Sequence, residues 1–134
     1  MRHKAIILLV SLFFIMAVIL PFSARAQENS DFPEGSLWQI ANDPRIYVIV
    51  NGRKHEVPNP AVVFVSYGWS PQSVQAADPD LLYGIPDVRV IKTADSESVY
   101  DITTGKRALI HSAEEFLEEG FIWDEIAVVN KTEL

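Results

Sequence analysis

Ile46-Tyr47-Val48-Ile49-Val50-Asn51-Gly52-Arg53-Lys54-His55-Glu56-Val57 reads as two β-rich runs folded back on each other about Asn51-Gly52. Glycine at a tight reversal takes the positive φ that β-branched residues resist, so this stretch predicts a β-hairpin. Upstream, Ser36 to Ile40 has the composition of a short strand, and Asn42-Asp43-Pro44 that of a turn. Downstream, Pro58-Asn59-Pro60 places asparagine at a helix N-cap and proline at N1. The apolar run Ala61 to Tyr67 then ends at Gly68, a typical residue just past a helix. Ser73 to Ala77 suggests one more strand, and Asp78-Pro79-Asp80 another turn.

The same order recurs. Moving the sequence by 53 positions sets Tyr47 on Tyr100, Ile49 on Ile102, Gly52 on Gly105, Arg53 on Lys106, Lys54 on Arg107 and Val57 on Ile110. After a one-residue deletion, Phe64 falls on Phe116, Gly68 on Gly120, Trp69 on Phe121 and Val74 on Ile126. The second helix starts at Ser112-Ala113 with Glu115 at N3, the pattern of a capping box. The reading is an α+β chain of two tandem β-β-β-α-β repeats, each with a hairpin and one short helix. They occupy 35–82 and 88–134, with 83–87 as linker. Sorting the apolar residues of both copies favours a three-residue hairpin loop ending in glycine. That loop groups Tyr47, Ile49, His55 and Val57 on one face, and Tyr100, Ile102, Ala108 and Ile110 in the second copy. It leaves Val48 and Val50 on an apolar outer face that the second copy is expected to cover.

The chain begins differently. Arg2, His3 and Lys4 precede an apolar run from Ala5 to Leu20 that only Ser11 interrupts, and Ala24-Arg25-Ala26 follows. This is the order of a secretory signal peptide over 1–26, with 27–34 as a polar lead-in; an uncleaved membrane anchor is the alternative. Removing Arg2, Lys4 and Arg25 from 11 basic residues leaves eight against 18 acidic ones, a net charge of −10. Such a chain repels nucleic-acid phosphates and anionic lipid, so neither is expected as a partner, nor is membrane insertion after cleavage. With no cysteine, an exported domain has no disulfide and no lipidated anchor, and must hold by packing alone.

Tyr-x-Ile-x-x-Gly followed by two basic residues, then a cap, a short helix bearing Phe, and Gly-aromatic resembles short tandem repeats of exported and cell-surface bacterial proteins. Val50-Asn51-Gly52-Arg53-Lys54 and Pro58-Asn59-Pro60 carry the resemblance in the first copy. Thr104-Gly105-Lys106-Arg107 and His111-Ser112-Ala113 carry a looser version in the second. The resemblance implies location outside the cytoplasm, either secreted or at the envelope exterior (periplasmic in a cell with two membranes), and an architecture. It implies no chemistry, because the family's activity is not established.

Little in the chain has the form of a catalytic or metal motif. His55 and His111 do not correspond under the repeat offset, no metal-ligand spacing occurs, and Gly105-Lys106 lacks a phosphate cradle, so no metal and no cofactor is expected. Glu114, Glu115, Glu118 and Glu119 gather at the second helix, where a solvated face is the simplest account. Tyr47 with Tyr100, Phe64 with Phe116, and Trp69 with Phe121 recur and read as core. Trp38, Tyr67, Tyr83 and Trp123 have no aromatic counterpart and are the candidate ligand-binding residues, since Trp and Tyr suit sugar stacking and protein hot spots; for Trp38, in a strand, and Tyr67, in a helix, packing at the seam between the copies is the alternative. The expectation is a non-catalytic binding or interaction module of the bacterial envelope, with a cell-wall glycan or envelope protein as ligand. The alternative is a small secreted hydrolase or hydrolase inhibitor using the acidic helix.

Overall fold

The computed structural model describes residues 31–134; the export signal expected over 1–26, its cleavage site and the start of the lead-in lie outside them. The first sheet contains β1 (Leu37–Gln39), β2 (Ile46–Val50), β3 (Arg53–Glu56) and β4 (Val74–Ala76), in the order β3-β2-β1-β4. The second contains β5 (Val90–Thr93), β6 (Val99–Asp101), β7 (Ala108–Ile110) and β8 (Ala127–Val129), in the order β7-β6-β5-β8. In both sheets the first three strands pair antiparallel, and the fourth returns parallel to the first after a helix. The chain is thus α+β, with two sheet-helix units of the same strand order.

Helix α1 (Pro60–Tyr67) has Asn59 at its N-cap as expected. Yet Asn59 sits in the left-handed region (φ 40) and its side chain makes no cap bond. Its partner in the second unit, α3 (Ala113–Glu118), is capped more conventionally. Ser112 Oγ accepts the Glu115 N–H at 3.0 Å, and Glu115 reaches back to the His111 N–H at 2.8 Å. Gly68 and Gly120 end the two helical segments at φ 68 and φ 79, a conformation that explains glycine at both places. Asp78-Pro79-Asp80 is more than a turn. Asp78 Oδ1 accepts the N–H groups of Asp80 and Leu81, and so caps a further helix, α2 (Pro79–Tyr83).

The hairpin register differs from the sequence expectation. Tyr47 lies opposite Glu56, Val48 opposite His55, Ile49 opposite Lys54 and Val50 opposite Arg53, so the loop is the two-residue Asn51-Gly52 turn. Both residues have positive φ, 53° and 71°, as a type I′ turn requires. In the second unit Tyr100 pairs with Leu109 and Val99 with Ile110, so Tyr100 does not share a face with Ala108. Gly105 still closes a local turn there, its N–H donating to the Ile102 carbonyl at 3.1 Å. The reason for the shift is that the first sheet is buried on both faces. Leu37, Val48 and Val57 pack with Val63 and Phe64 of α1, while Tyr47 and Ile49 pack with Phe32, Ile40, Leu82 and Ile85 on the other side. Apolar alternation cannot choose a register when both faces are apolar.

Two further placements follow from this double burial. Val48 is covered by its own helix, whereas Val50 reaches the core of the second unit, beside Val88, Ile91, Ala127 and Val129. Phe32, which sequence puts in a polar lead-in, is buried and meets Trp38 edge-on with ring centroids 4.8 Å apart. In the second unit α3 supplies Phe116 against Val90 and Phe121. Tyr47, Phe64, Phe116 and Phe121 are buried as the repeat predicts, and Tyr100 and Trp69 are partly so. Among the described residues, no helix is long and apolar enough to cross a membrane.

Candidate functional site

β3 is an edge strand, and the segment after α2 runs along it. The Lys54 N–H donates to the Pro86 carbonyl at 2.9 Å, and the Val88 N–H donates to the Lys54 carbonyl at 2.9 Å. Residues 83–87 are therefore stitched to the first sheet rather than left as a loose connection. Beyond this seam opens a cleft of about 880 Å³, walled by β3, by the 86–91 segment and by the loop from Ile102 to Arg107. Its volume falls in the range of small-ligand sites, roughly 300–1,000 Å³.

The walls of this cleft carry six basic side chains and three acidic ones, Glu56, Asp87 and Glu133. Of the lysines and arginines at positions 31–134, all but Lys92 and Lys131 line it: Arg45, Arg53, Lys54, Arg89, Lys106 and Arg107. Four of these are engaged by acidic groups or backbone. Arg45 grips Asp43 at 2.6 Å, and its hydrogen bonds draw the Asp43 carboxyl down to about 2. Lys54, itself buried, places Nζ 2.7 Å from Asp87 and 2.7 Å from the Ile85 carbonyl. Arg89 holds both oxygens of Glu125, at 2.8 and 2.7 Å, and stacks over the Phe121 ring at 4.9 Å. Arg53 approaches the same carboxylate at 3.7 Å and donates to the Asp87 carbonyl at 3.1 Å.

Glu125 is almost fully enclosed, its side chain 1% exposed. Burial alone pushes its carboxyl up. The hydrogen bonds and charge of Arg89, helped by Arg53, outweigh burial and hold it below the usual carboxylate range. Lys106 and Arg107 are different: both are exposed, and among the described residues neither meets a carboxylate. Arg107 lies over the Tyr100 ring at 5.3 Å, a cation-π contact that engages no hydrogen-bond donor of the guanidinium.

The floor of the cleft joins a polar network between the units. His55 Nε2 is 2.8 Å from Glu133 Oε1, Tyr67 Oη donates to Glu133 Oε2, and the Asn130 N–H donates to Tyr67 Oη at 2.8 Å. Burial, then the Glu133 carboxylate, raises the Tyr67 phenol well above its ordinary value; the Asn130 N–H opposes them and loses. Neighbouring bonds from Asn130 to Ser66 and between Ser66 and Thr132 lay the C-terminal turn on α1. His55 faces the Glu133 carboxylate, and the hydroxyls of Ser66 and Thr132 bond each other.

The four unpaired aromatics go to four different places. Trp38 is half-buried against Phe32 and donates through Nε1 to Ser36 Oγ at 2.7 Å. Tyr67 is in the network between the units, stacked on Trp69 at 4.2 Å. Trp123 is 51% exposed and stacked on Phe116 at 4.1 Å, away from the cleft. Only Tyr83 lines the cleft, at its rim, with Arg45 Nη2 donating to its hydroxyl at 3.3 Å. The acidic residues of α3 do not line it. Among the described residues, no cluster of three or more His, Asp or Glu side chains could hold a metal ion. The basic residues escaped the sequence reading because they are scattered from Arg45 to Arg107. The only sequence signal was the paired Arg53-Lys54 and Lys106-Arg107 after each turn glycine.

Fold and cleft define a class, two like-ordered sheet-helix units with a basic groove between them. Comparison with protein-family models, curated proteins and solved structures gives no match.

Proposed function

We propose that this protein is an exported, non-catalytic binding module of the bacterial envelope, built from two tandem copies of one β-β-β-α-β repeat, and that the cleft between the copies is its ligand site. The observation that carries the proposal is the cleft itself: a groove of ligand size, formed only where the two units meet, into which an otherwise acidic chain turns most of its cations. Export is supported by the basic, apolar and Ala-x-Ala order of residues 1–26, and by the resemblance to repeats of cell-surface proteins. Duplication is supported by the shared strand order, by turn glycines at Gly52 and Gly105, and by helix-ending glycines at Gly68 and Gly120. A glycan of the envelope is the favoured ligand, with Tyr83 offering an exposed ring at the rim.

Two measurements test this reading. Immobilised protein should retain isolated envelope glycan, and Thr103→Trp, which fills the cleft from its exposed loop, should abolish retention without unfolding the chain. Equal retention by both proteins would exclude the cleft as the site. Residues 1–34 fused to a reporter should direct it out of the cytoplasm, with cleavage after Ala26.

A further inference from the structure

We infer that the ligand of the cleft is a compact oxyanion, a sugar of one or two rings bearing a carboxylate or a phosphate, and that Lys106 and Arg107 are the residues that grip it; this rests on the cleft being the binding site. The first argument is the reversal of charge. The mature chain carries a net −10, yet Lys92 and Lys131 are its only cations at positions 31–134 that do not face this groove. Glu56, Asp87 and Glu133 line it too, so six cations face three carboxylates and the groove keeps an excess of positive charge that favours an anion.

The second argument concerns which charges are already used. Arg45, Lys54 and Arg89 are each held by a carboxylate within 2.7 Å, and Arg53 shares Glu125. These pairs shape the walls and leave little charge for a ligand. Among the described residues Lys106 and Arg107 meet no carboxylate, and Arg107 lies over the ring of Tyr100, 5.3 Å from its centroid. A guanidinium presents parallel N–H donors, the geometry that carboxylate and phosphate oxygens accept in pairs. Neither donor must first break an ion pair to bind.

The third argument limits the ligand's size. Charges are screened over about 8 Å at physiological ionic strength, so an anion within the cleft feels its basic walls more than the acidic remainder of the molecule. A long polyanion would extend past the rim over that acidic surface and be repelled. A volume of about 880 Å³ suits one or two sugar rings. Tyr83, half exposed at the rim, offers a ring face to a sugar whose acidic group reaches Lys106 and Arg107.

The test is a titration of the isotopically labelled protein, followed by amide chemical shifts, with three probes: digalacturonate for the carboxylate, glucose 1-phosphate for the phosphate, and chitobiose as a neutral sugar. At least one acidic probe should shift the amides from Thr103 to Arg107, and the response identifies which oxyanion is recognised. Lys106→Ala with Arg107→Ala should weaken that binding at least tenfold, added salt should weaken it in the parent protein, and Lys92→Ala should leave it unchanged. Lys106→Glu with Arg107→Glu should abolish it, and unshifted core amides in both double variants show that the fold is intact. Chitobiose binding as tightly as the acidic probes, or binding insensitive to both double variants, overturns the oxyanion and leaves the cleft as the site. No shift with any probe, while Thr103→Trp still abolishes glycan retention, overturns it as well. If Thr103→Trp has no effect on retention, the cleft reading itself falls.

Discussion

Glu125 sits at the end of a short 3-10 turn, Trp123–Glu125, and its enclosed carboxylate is what keeps Arg89 against Phe121 and Arg53 near the second unit. Breaking a buried ion pair by removing one partner leaves the other charge uncompensated, at about 3–5 kcal/mol when both are enclosed. Arg89 keeps partial access to water, its side chain 36% exposed, so the cost here is smaller. Glu125→Gln should lose about 2 kcal/mol at neutral pH, measured by urea unfolding. The pH dependence has a definite sign. The folded carboxyl is held below its unfolded value, so its stabilisation is complete above the unfolded value and is lost as pH falls through the folded one. The gap between the parent protein and Glu125→Gln should therefore close on the acid side; a gap that stays constant down to the acid limit would mean that the ion pair contributes nothing to folding. Nothing in sequence singled out Glu125 from its many acidic neighbours, because its role depends on Arg89 and Arg53 arriving from other elements.

Among the elements, the β2-β3 hairpin shows which parts of a fold can be read from sequence. Its existence, its turn glycine and the helix behind it follow from local chemistry, and the structure contains all of them. Its register was misread because both faces of the sheet are buried: Lys54, which looks like a solvent residue, lies buried opposite Ile49, and His55 lies buried opposite Val48 rather than on the face of Tyr47. Their partners come from afar: Asp87 and the Ile85 carbonyl for Lys54, Glu133 for His55. Polar residues buried by long-range partners make a hydrophobic pattern point the wrong way. The turn itself is tied across the molecule. Asn51 Nδ2 donates to the Ile126 carbonyl at 3.1 Å, and its N–H donates to Glu34 Oε1 at 2.9 Å. Asn51→Val removes the cross-unit bond and puts a β-branched residue at φ 53. At about 1–2 kcal/mol for the left-handed conformation and about 1 for the hydrogen bond, it should destabilise by roughly 2–3 kcal/mol in thermal or urea unfolding. Asn51→Gly keeps the backbone conformation and should cost only the hydrogen-bond part. The α2 cap, missed as a turn, gives a cleaner case: Asp78→Ala removes the acceptor for Asp80 and Leu81 and should cost about 1 kcal/mol.

Across the whole molecule, the two units meet through Val50, which reaches the second core, and through polar bonds, of which those of Tyr67 are the most informative. Tyr67 Oη gives its proton to Glu133 and accepts the Asn130 N–H, so one hydroxyl joins α1 to the C-terminal turn. Sequence offered the seam as one place for Tyr67 but not its partner; only the packing of one unit on the other brings a carboxylate to it. Tyr67→Phe leaves Glu133 and the Asn130 N–H each without that partner, and about 2 kcal/mol should be lost at neutral pH. Alkali separates this from ordinary packing loss. Because burial and the Glu133 carboxylate raise the folded phenol above its unfolded value near 10, the stabilisation is intact below that value. It disappears as pH climbs from there toward the folded one, where the unfolded chain gains by ionising and the folded chain cannot. Tyr47 is also raised, by its own burial, but it is present in both proteins and cancels in their difference. The stability gap between the parent protein and Tyr67→Phe should therefore be widest at neutral pH and narrow above pH ~10. Ultraviolet absorbance of tyrosinate should show one fewer delayed ionisation in the variant. A gap independent of alkaline pH would place Tyr67 in water rather than between the units, and the cleft whose floor it supports would then lack its closed side.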